Sequence, residues 1–258
     1  MTPVITVNSL TKRFELPDRD VIAAQNISFN VSSGEVYGLL GPNGAGKTTI
    51  MRMILGLLQA DSGWAEIHGF RSDTQADEVK RRVGFVSASA GVYQWLTARE
   101  MLTFFGDVYG MSQLDTRDRI EELSRLLRVG PVLDRRCAGL STGEKQRINL
   151  ARAMIHDPGV MIFDEPTLGL DVVGSQAIFE HIDLLREQNK AIILCTHRLE
   201  QAQRVCSRFG LLHEGTMAFG GTLEELKQQT GRRDLVEIFV DIIDGKIQSE
   251  KQPSLPTT

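Results

Sequence analysis

The chain has 258 residues, with 29 Lys and Arg against 33 Asp and Glu, a formal net charge of -4. That length holds one large domain, or a domain with a small appendage. The negative balance argues against a nucleic-acid binder that works by neutralising many phosphates, while leaving room for a local basic patch. At 41% hydrophobic and 24% charged residues the composition is that of an ordinary soluble globular protein. No run approaches the roughly 20 apolar residues that span a bilayer, and the first residues lack the basic stretch and apolar core of a secretory signal. Cys137, Cys195 and Cys206 are far apart and form no CxxC pair. They are expected to be reduced thiols in a cytosolic protein; metal ligation is the sharper alternative, and no histidine cluster accompanies them.

In chain order, Val4, Thr6 and Leu10 precede Phe14 with the alternation of β-structure, and Ile27, Phe29 and Val31 recur at every second position. Ser32, Ser33 and Gly34 make a turn. Residues 36–40 are a short apolar run suited to a buried strand, and a glycine-rich loop follows at once. Ile50, Met53, Ile54, Leu57 and Leu58 then repeat at helical spacing. Residues 97–127 are predicted helical, with one stripe at Leu102, Phe105, Val108 and Tyr109 and another at Ile120, Leu123, Leu126 and Leu127. Beyond them come a predicted helix over 142–156, a buried strand over 160–163, a helix over 176–187 and a buried strand over 191–195. Strands alternating with helices imply a mostly parallel sheet covered on both faces. No internal repeat is present, and residues 245–258 are polar with two prolines, as in a loose tail.

Two stretches carry the chemistry. Gly41, Pro42, Asn43, Gly44, Ala45, Gly46, Lys47, Thr48 and Thr49 fit G-x-x-x-x-G-K-[ST], between an apolar strand and a helix. Glycines at 41, 44 and 46 allow the backbone to curl until successive N–H groups point at phosphates, and the following helix presents the positive end of its dipole to the same anion. Lys47 is expected to reach the β- and γ-phosphates of ATP, and the Thr48 hydroxyl to ligate Mg²⁺. The second stretch is the strand over 160–163 running into Asp164 and Glu165. A strand ending beside the phosphate loop delivers Asp164 to the magnesium shell and leaves Glu165 as the carboxylate that activates water.

Further along, Leu140, Ser141, Thr142, Gly143, Glu144, Lys145, Gln146 and Arg147 precede Asn149, Leu150, Ala151, Arg152 and Ala153; Pro166, Thr167, Leu168, Gly169, Leu170 and Asp171 follow the carboxylates; Thr196 and His197 follow the second buried strand. In this order the sequence resembles the ATP-binding subunits of ABC transporters across nearly its whole length. The resemblance implies a P-loop NTPase core with a mostly parallel sheet, an N-terminal antiparallel β-subdomain and a helical lobe inserted at about residues 88–150. It implies an ATP-binding domain over 1–230 and a short C-terminal extension and tail over 231–258. It also implies two copies, expected as a homodimer, paired head to tail around each ATP. Ser141 and the backbone of Gly143 then touch the γ-phosphate held by the partner's loop, His197 contacts the γ-phosphate within its own subunit, Phe14 stacks on adenine, and Asp171 links the two sites. A plain core role for Phe14 and a merely buried or surface place for His197 are the blander alternatives.

The sequence departs from the family at Ala88, where a glutamine is usual; the nearest glutamine is Gln94. Alanine offers no side-chain oxygen to Mg²⁺ or water, so a slower or more loosely metal-coupled ATPase is expected. Thr142 and Glu144 are milder departures within the signature. An ATPase subunit without a span needs a separate integral-membrane permease, and the resemblance puts the chain at the cytoplasmic face of the membrane. Tyr93 and Trp95 are candidates for the docking surface, with a lobe-core place as the alternative for Trp95. Residues 215–226 and 234–239 resemble bacterial exporters of sodium, drugs or antibiotics, and Arg99, Glu100, His156, Asp157 and Pro158 lean toward the sodium subgroup. The rival classes are a soluble ABC ATPase without transport and a regulatory module with weakened catalysis.

Overall fold

A computed structural model describes residues 2–17, 19–87 and 91–247. Strands β1 (Ile5–Glu15), β2 (Asp20–Val31), β4 (Ser62–Ile67) and β5 (Phe70–Arg71) form an antiparallel sheet in the order β2-β1-β4-β5. Its first pairing sets Val7 opposite Phe29 and Ile5 opposite Val31, so the alternating apolar residues share one face. Strands β3 (Val36–Leu40), β6 (Val83–Ser87), β7 (Val160–Asp164), β8 (Ala191–Thr196), β9 (Arg208–His213) and β10 (Thr216–Gly221) form a second sheet in the order β10-β9-β3-β8-β7-β6. All pairs in it are parallel except the β9–β10 hairpin at the edge. Every residue of β3 and β8 is buried, as expected for parallel strands covered on both faces.

One face of this sheet meets the antiparallel sheet and α1 (Lys47–Ile54), with Leu39, Ile50, Ile54, Ile162 and Ile193 in a common core. The other face carries α3 (Ala98–Val108), α4 (Gln113–Leu126), α5 (Thr142–Met154) and α6 (Val172–Glu187), where Met101, Leu123, Ile148 and Ile182 close over Val86, Phe163 and Leu194. A short α2 (Ala76–Lys80) leads into β6. Helices α7 (Leu199–Val205), α8 (Leu223–Thr230) and α9 (Leu235–Ile243) build a third core against Leu40, Phe209 and Leu211.

Both sheets and the lobe match the expectation, with several boundary corrections. The helix after the phosphate loop stops at Ile54 rather than running to Leu58: Gly56 adopts φ 65° and Leu57 is exposed. The helix predicted over 176–187 begins at Val172, where the Asp171 side chain accepts the Gly174 N–H at 2.7 Å. Residues 235–239 lie in α9, which Asp234 caps and whose Leu235, Ile238, Phe239 and Ile242 are buried. The lobe-core alternative for Trp95 is overturned, since that side chain is 84% exposed. Arg99 and Glu100 have structural partners. Arg99 ties α3 to Asp134 (2.7 Å) and to Glu121 on α4 (3.1 Å), and Glu100 completes a capping box with Thr97.

Candidate functional site

The phosphate loop is the junction between β3 and α1. Gly44 and Gly46 have φ 84° and 105°, conformations that a side chain resists. At Gly46 a Cβ would sit 2.0 Å from the Ala23 carbonyl oxygen, and at Gly41 one would sit 2.4 Å from that of Leu212. The loop is therefore wedged between β2 and β9, and only glycine lets it lie there. The Ala45 carbonyl accepts the N–H of Gly215 at 3.1 Å, which locks the loop to the β9–β10 turn. Lys47 is buried, and its Nζ donates to the carbonyls of Gly41 (2.6 Å) and Pro42 (3.0 Å), so the ammonium lies within the curl of the loop. Thr48 at the first turn of α1 is exposed.

The ends of β7 and β8 bring the acidic residues to the same place. Asp164 closes β7, level with Ser87 on β6 and Cys195 on β8. Glu165 follows with φ 49°, a conformation that costs a glutamate about 1 kcal/mol or more and persists only where its surroundings enforce it. They do so here. The Glu165 N–H donates to the Cys195 carbonyl at 2.9 Å, and Leu168 N–H donates to the Glu165 carbonyl at 3.0 Å. The turned carboxylate then accepts the His197 backbone N–H (3.1 Å) and the Thr196 hydroxyl (3.0 Å), and meets His197 Nδ1 at 2.8 Å. Lys47 Nζ stands 3.8 Å from its Oε1. Lys47, Glu165, Thr196 and His197 thus form one contiguous set of charged and polar groups.

Burial, and next the charge of Glu165, hold the Asp164 carboxyl above its ordinary range, with Lys47 and Arg52 opposing. A cation beside the pair would relieve that repulsion. The protein donors are oxygens, a carboxylate and the Thr48 hydroxyl, the set that suits a hard ion completing its shell with phosphate and water. Among the described residues no three His, Cys, Asp or Glu side chains converge as a closed metal cage. Cys195, buried beneath Asp164, has its thiol pushed far up by burial and stays protonated; none of the three cysteines is disulfide-bonded.

The signature residues lie elsewhere on the chain. Ser141 caps α5: its Oγ accepts the Glu144 N–H at 3.3 Å, and Glu144 Oε2 accepts the Ser141 N–H at 2.7 Å. Among the described residues this reciprocal cap leaves the N–H groups of Thr142 and Gly143 without an acceptor, two donors at the positive end of a helix. Ser141, Gly143, Gly169 and Asp171 line one groove, and no residue of 41–49 borders it. Phe14 is 36% exposed on β1, with Lys12 Nζ 5.6 Å from its ring centroid, so the core alternative for it fails. Asp171 and Gln94 are exposed, while Ala88 lies outside the described residues.

Sequence reasoning overlooked three contributions. The Thr196 hydroxyl orients Glu165. Gln146 Nε2 donates to the Pro166 carbonyl at 3.0 Å and Thr167 Oγ1 to Gln201 at 3.1 Å, tying the signature helix and α7 to the loop after β7. Thr196 had a signal, since it stands beside His197. Gln146 and Gln201 had none, because both bonds join elements distant in sequence.

The ABC transporter family model matches residues 24–168, more than half of the chain. The chain belongs to the ABC transporter family. It is an ATP-binding subunit and an ATPase of that family. It is 38% identical over 238 residues to the ABC transporter ATP-binding protein NatA of Bacillus subtilis (strain 168), covering 92% of this chain and 97% of the relative. It is 38% identical over 220 residues to Nod factor export ATP-binding protein I of Rhizobium sp. (strain N33), covering 85% and 72%. A solved ATP-binding subunit of an ABC transporter superposes with a TM-score of 0.83 at 30% identity, covering 93% of this chain and 99% of that one. A dimeric ATP-binding cassette bound to ADP and Pi in a post-hydrolysis state superposes with a TM-score of 0.75 at 25% identity, covering 85% and 98%. Among the described residues of this ABC subunit no helix is long and apolar enough to cross a membrane.

Proposed function

We propose that this subunit hydrolyses Mg-ATP between two copies of itself, at the cytoplasmic face of a membrane, to drive export through a separate integral-membrane permease. The observation that carries the reading is the Lys47–Glu165–His197 set, in which the ammonium of the phosphate loop, a turned carboxylate and an imidazole lie within hydrogen-bonding or ion-pair reach of one another. Lys47, lifted from the Gly41 and Pro42 carbonyls, binds the β- and γ-phosphates, and the N–H groups of the loop orient them. Glu165 holds the attacking water and accepts its proton, while Thr196 and the His197 N–H keep that carboxylate in place. His197 turns its free ring nitrogen to the γ-phosphate. Thr48 and Asp164 would hold Mg²⁺, which when bound offsets charge between the β- and γ-phosphates. Phe14 provides a ring for adenine.

The second half of the site comes from the partner copy. The uncapped N–H donors of Thr142 and Gly143, with the Ser141 hydroxyl, suit a γ-phosphate presented from outside the chain. The exposure of Leu168 (55%), Val172 (85%) and Val173 (78%) beside Asp171 suits burial against a second copy. The export direction is supported by the export role that the Nod factor relatives carry in their names and by residues 215–226; sodium or a drug is the cargo class those residues suggest. Docking on the permease uses the exposed aromatic end of the lobe, Tyr93 and Trp95.

The test is phosphate release by the purified full-length chain. Wild type is expected to turn over ATP with a rate per subunit that rises with protein concentration, as dimerisation requires. Glu165→Gln should lower turnover by about 10²-fold or more while ATP still binds. A monomeric chain that turns over at full rate, or an unaffected Glu165→Gln, overturns the reading.

A further inference from the structure

Helix α5 starts beside Ser141 and ends at Met154, and β7 starts at Val160 and ends at Asp164. The turn between them, with His156, Asp157 and Pro158, therefore lies at the opposite end of both elements from the signature and from Glu165. Asp157 occupies this turn with φ 49°. One oxygen of its carboxylate, Oδ1, accepts from Arg119 on α4 at 3.0 Å and from Lys190, the residue before β8, at 2.8 Å. Each cation has a second anchor in the same turn. Arg119 donates to the Met154 carbonyl at 3.1 Å, and Lys190 to the Pro158 carbonyl at 2.7 Å. Beside them Tyr109, which caps the end of α3, stacks on His156 with ring centroids 3.6 Å apart. The lobe, the tail of the signature helix and the starts of β7 and β8 thus meet at one joint.

The other ion pairs that leave α3 and α4 stay inside the lobe, as with Arg99 to Asp134 and Glu121. Among the described residues, Asp157 is the carboxylate through which an ion pair of α4 reaches the sheet. Burial works to raise this carboxyl; the Lys190 hydrogen bond and the charges of Lys190 and Arg119 outweigh it and hold the group below its ordinary range. Its side chain is 66% exposed, so water screens the pairs and they add little to stability. What a bridge between three elements does fix is their relative orientation. At its other end α5 meets the loop after β7 through the Gln146 bond to the Pro166 carbonyl. The 13 residues of α5 span about 20 Å, so a tilt of about 5° at the joint carries its first turn by about 2 Å. Displacements of that size are large for groups that must meet a reacting phosphate.

We propose that Asp157 is a positioning residue for ATP hydrolysis: by bridging Arg119 of the lobe to Lys190 of the sheet, it sets the tilt of α5 and hence where Ser141 and Gly143 meet the nucleotide held by a second copy. This rests on the head-to-tail pairing proposed above and adds to it a residue far from the nucleotide that fixes the signature half of the site. The joint also explains why one chain can present both halves in register, since β7 and β8 carry Glu165 and His197 from the same place at which α5 is anchored.

Sedimentation of the full-length chain with Mg-ATP tests the proposal in the Glu165→Gln background, where nucleotide persists unhydrolysed. Glu165→Gln alone is expected to dimerise when ATP is added. A solvent-exposed ion pair biases its equilibrium by about 3-fold, and a symmetric dimer contains two such joints, so adding Asp157→Asn should weaken dimerisation about 10-fold. Asparagine tolerates the positive φ and keeps an acceptor, so charge is what the substitution removes. ATP affinity of the dilute monomer, which uses the phosphate loop, should hold. Arg119→Met should weaken dimerisation to the same degree, and the two substitutions together no further, because both cut one bridge. Unchanged dimerisation in Asp157→Asn, or losses from the two substitutions that add, overturns the role of Asp157 and leaves the head-to-tail reading standing. Lost ATP binding in the Asp157→Asn monomer assigns the residue to folding and likewise overturns the proposal. Failure of Glu165→Gln itself to dimerise with ATP overturns the pairing, and the inference with it.

Discussion

Substituting Ala for Gly143 separates the fold of the signature from its proposed chemistry. Gly143 is the second residue of α5, and an added Cβ would meet no atom within 4 Å. The substitution is therefore free of clash in the single chain. Glycine in a helix is less favourable than alanine by roughly 0.5–1 kcal/mol, so Gly143→Ala should leave stability unchanged or raise it by about that amount. Urea unfolding of the nucleotide-free chain measures this. On the proposed head-to-tail dimer, the empty space around Gly143 is where the γ-phosphate held by the partner would approach the N–H donors of Thr142 and Gly143. A methyl group there would lengthen those proposed hydrogen bonds, and losing one preorganised donor to a developing oxyanion lowers turnover by about 10²–10³-fold. Steady-state phosphate release should fall by that order while ATP affinity of the monomer, which uses the phosphate loop, holds. Wild-type turnover in Gly143→Ala would refute the placement of the signature on the nucleotide. A loss of stability above about 1 kcal/mol would refute the open space around the residue.

Gly46→Ala should behave in the opposite way: a Cβ 2.0 Å from the Ala23 oxygen, at φ 105°, costs about 1–3 kcal/mol in backbone strain alone and forces β2 away, so denaturant unfolding should show lower stability and calorimetry should show lost ATP binding. Asp164 is held above its ordinary pKa, so the folded chain favours its protonated form, and stability contributed there is lost as pH rises through the folded value. Asp164→Asn should accordingly raise the unfolding midpoint of the nucleotide-free protein at neutral pH while removing magnesium-dependent turnover; a lower midpoint would contradict the repulsion argument. His156 stacks on Tyr109 at 3.6 Å, and burial pushes its pKa down from 6.5 to about 4. The unfolded chain therefore takes up the proton first, and stability should fall as pH drops from 6.5 toward 4. His156→Phe, which keeps the stack, should flatten that slope in urea titrations; an identical slope would assign it to other groups.

Much of the site is legible in one dimension because its chemistry is local. The curl at 41–46 needs glycines in succession, and Lys47 and Thr48 follow in the same turn. The buried strands at 160–164 and 191–196 announce themselves as apolar runs ending in polar residues, so Asp164, Glu165 and His197 read as strand-end groups. The capping box of Ser141 and Glu144 is likewise a matter of three-residue spacing.

What the sequence by itself determined was therefore the identity of the candidate reactive groups and the element that carries each. Only the tertiary structure decided how they meet. The parallel pairing of β7 with β8 puts Glu165 against Thr196 and His197, which lie 31 and 32 positions on, and the positive φ of Glu165 aims its carboxylate there. The glycines at 41 and 46 are required as much by Leu212 and Ala23, brought in from β9 and β2, as by phosphate. Arg152 reads along the chain only as one residue of the run after the signature, and that its buried Nε finds no acceptor among the described residues is decided by packing. Spacing along a chain encodes local turns and faces, whereas a missing partner is a property of three-dimensional packing.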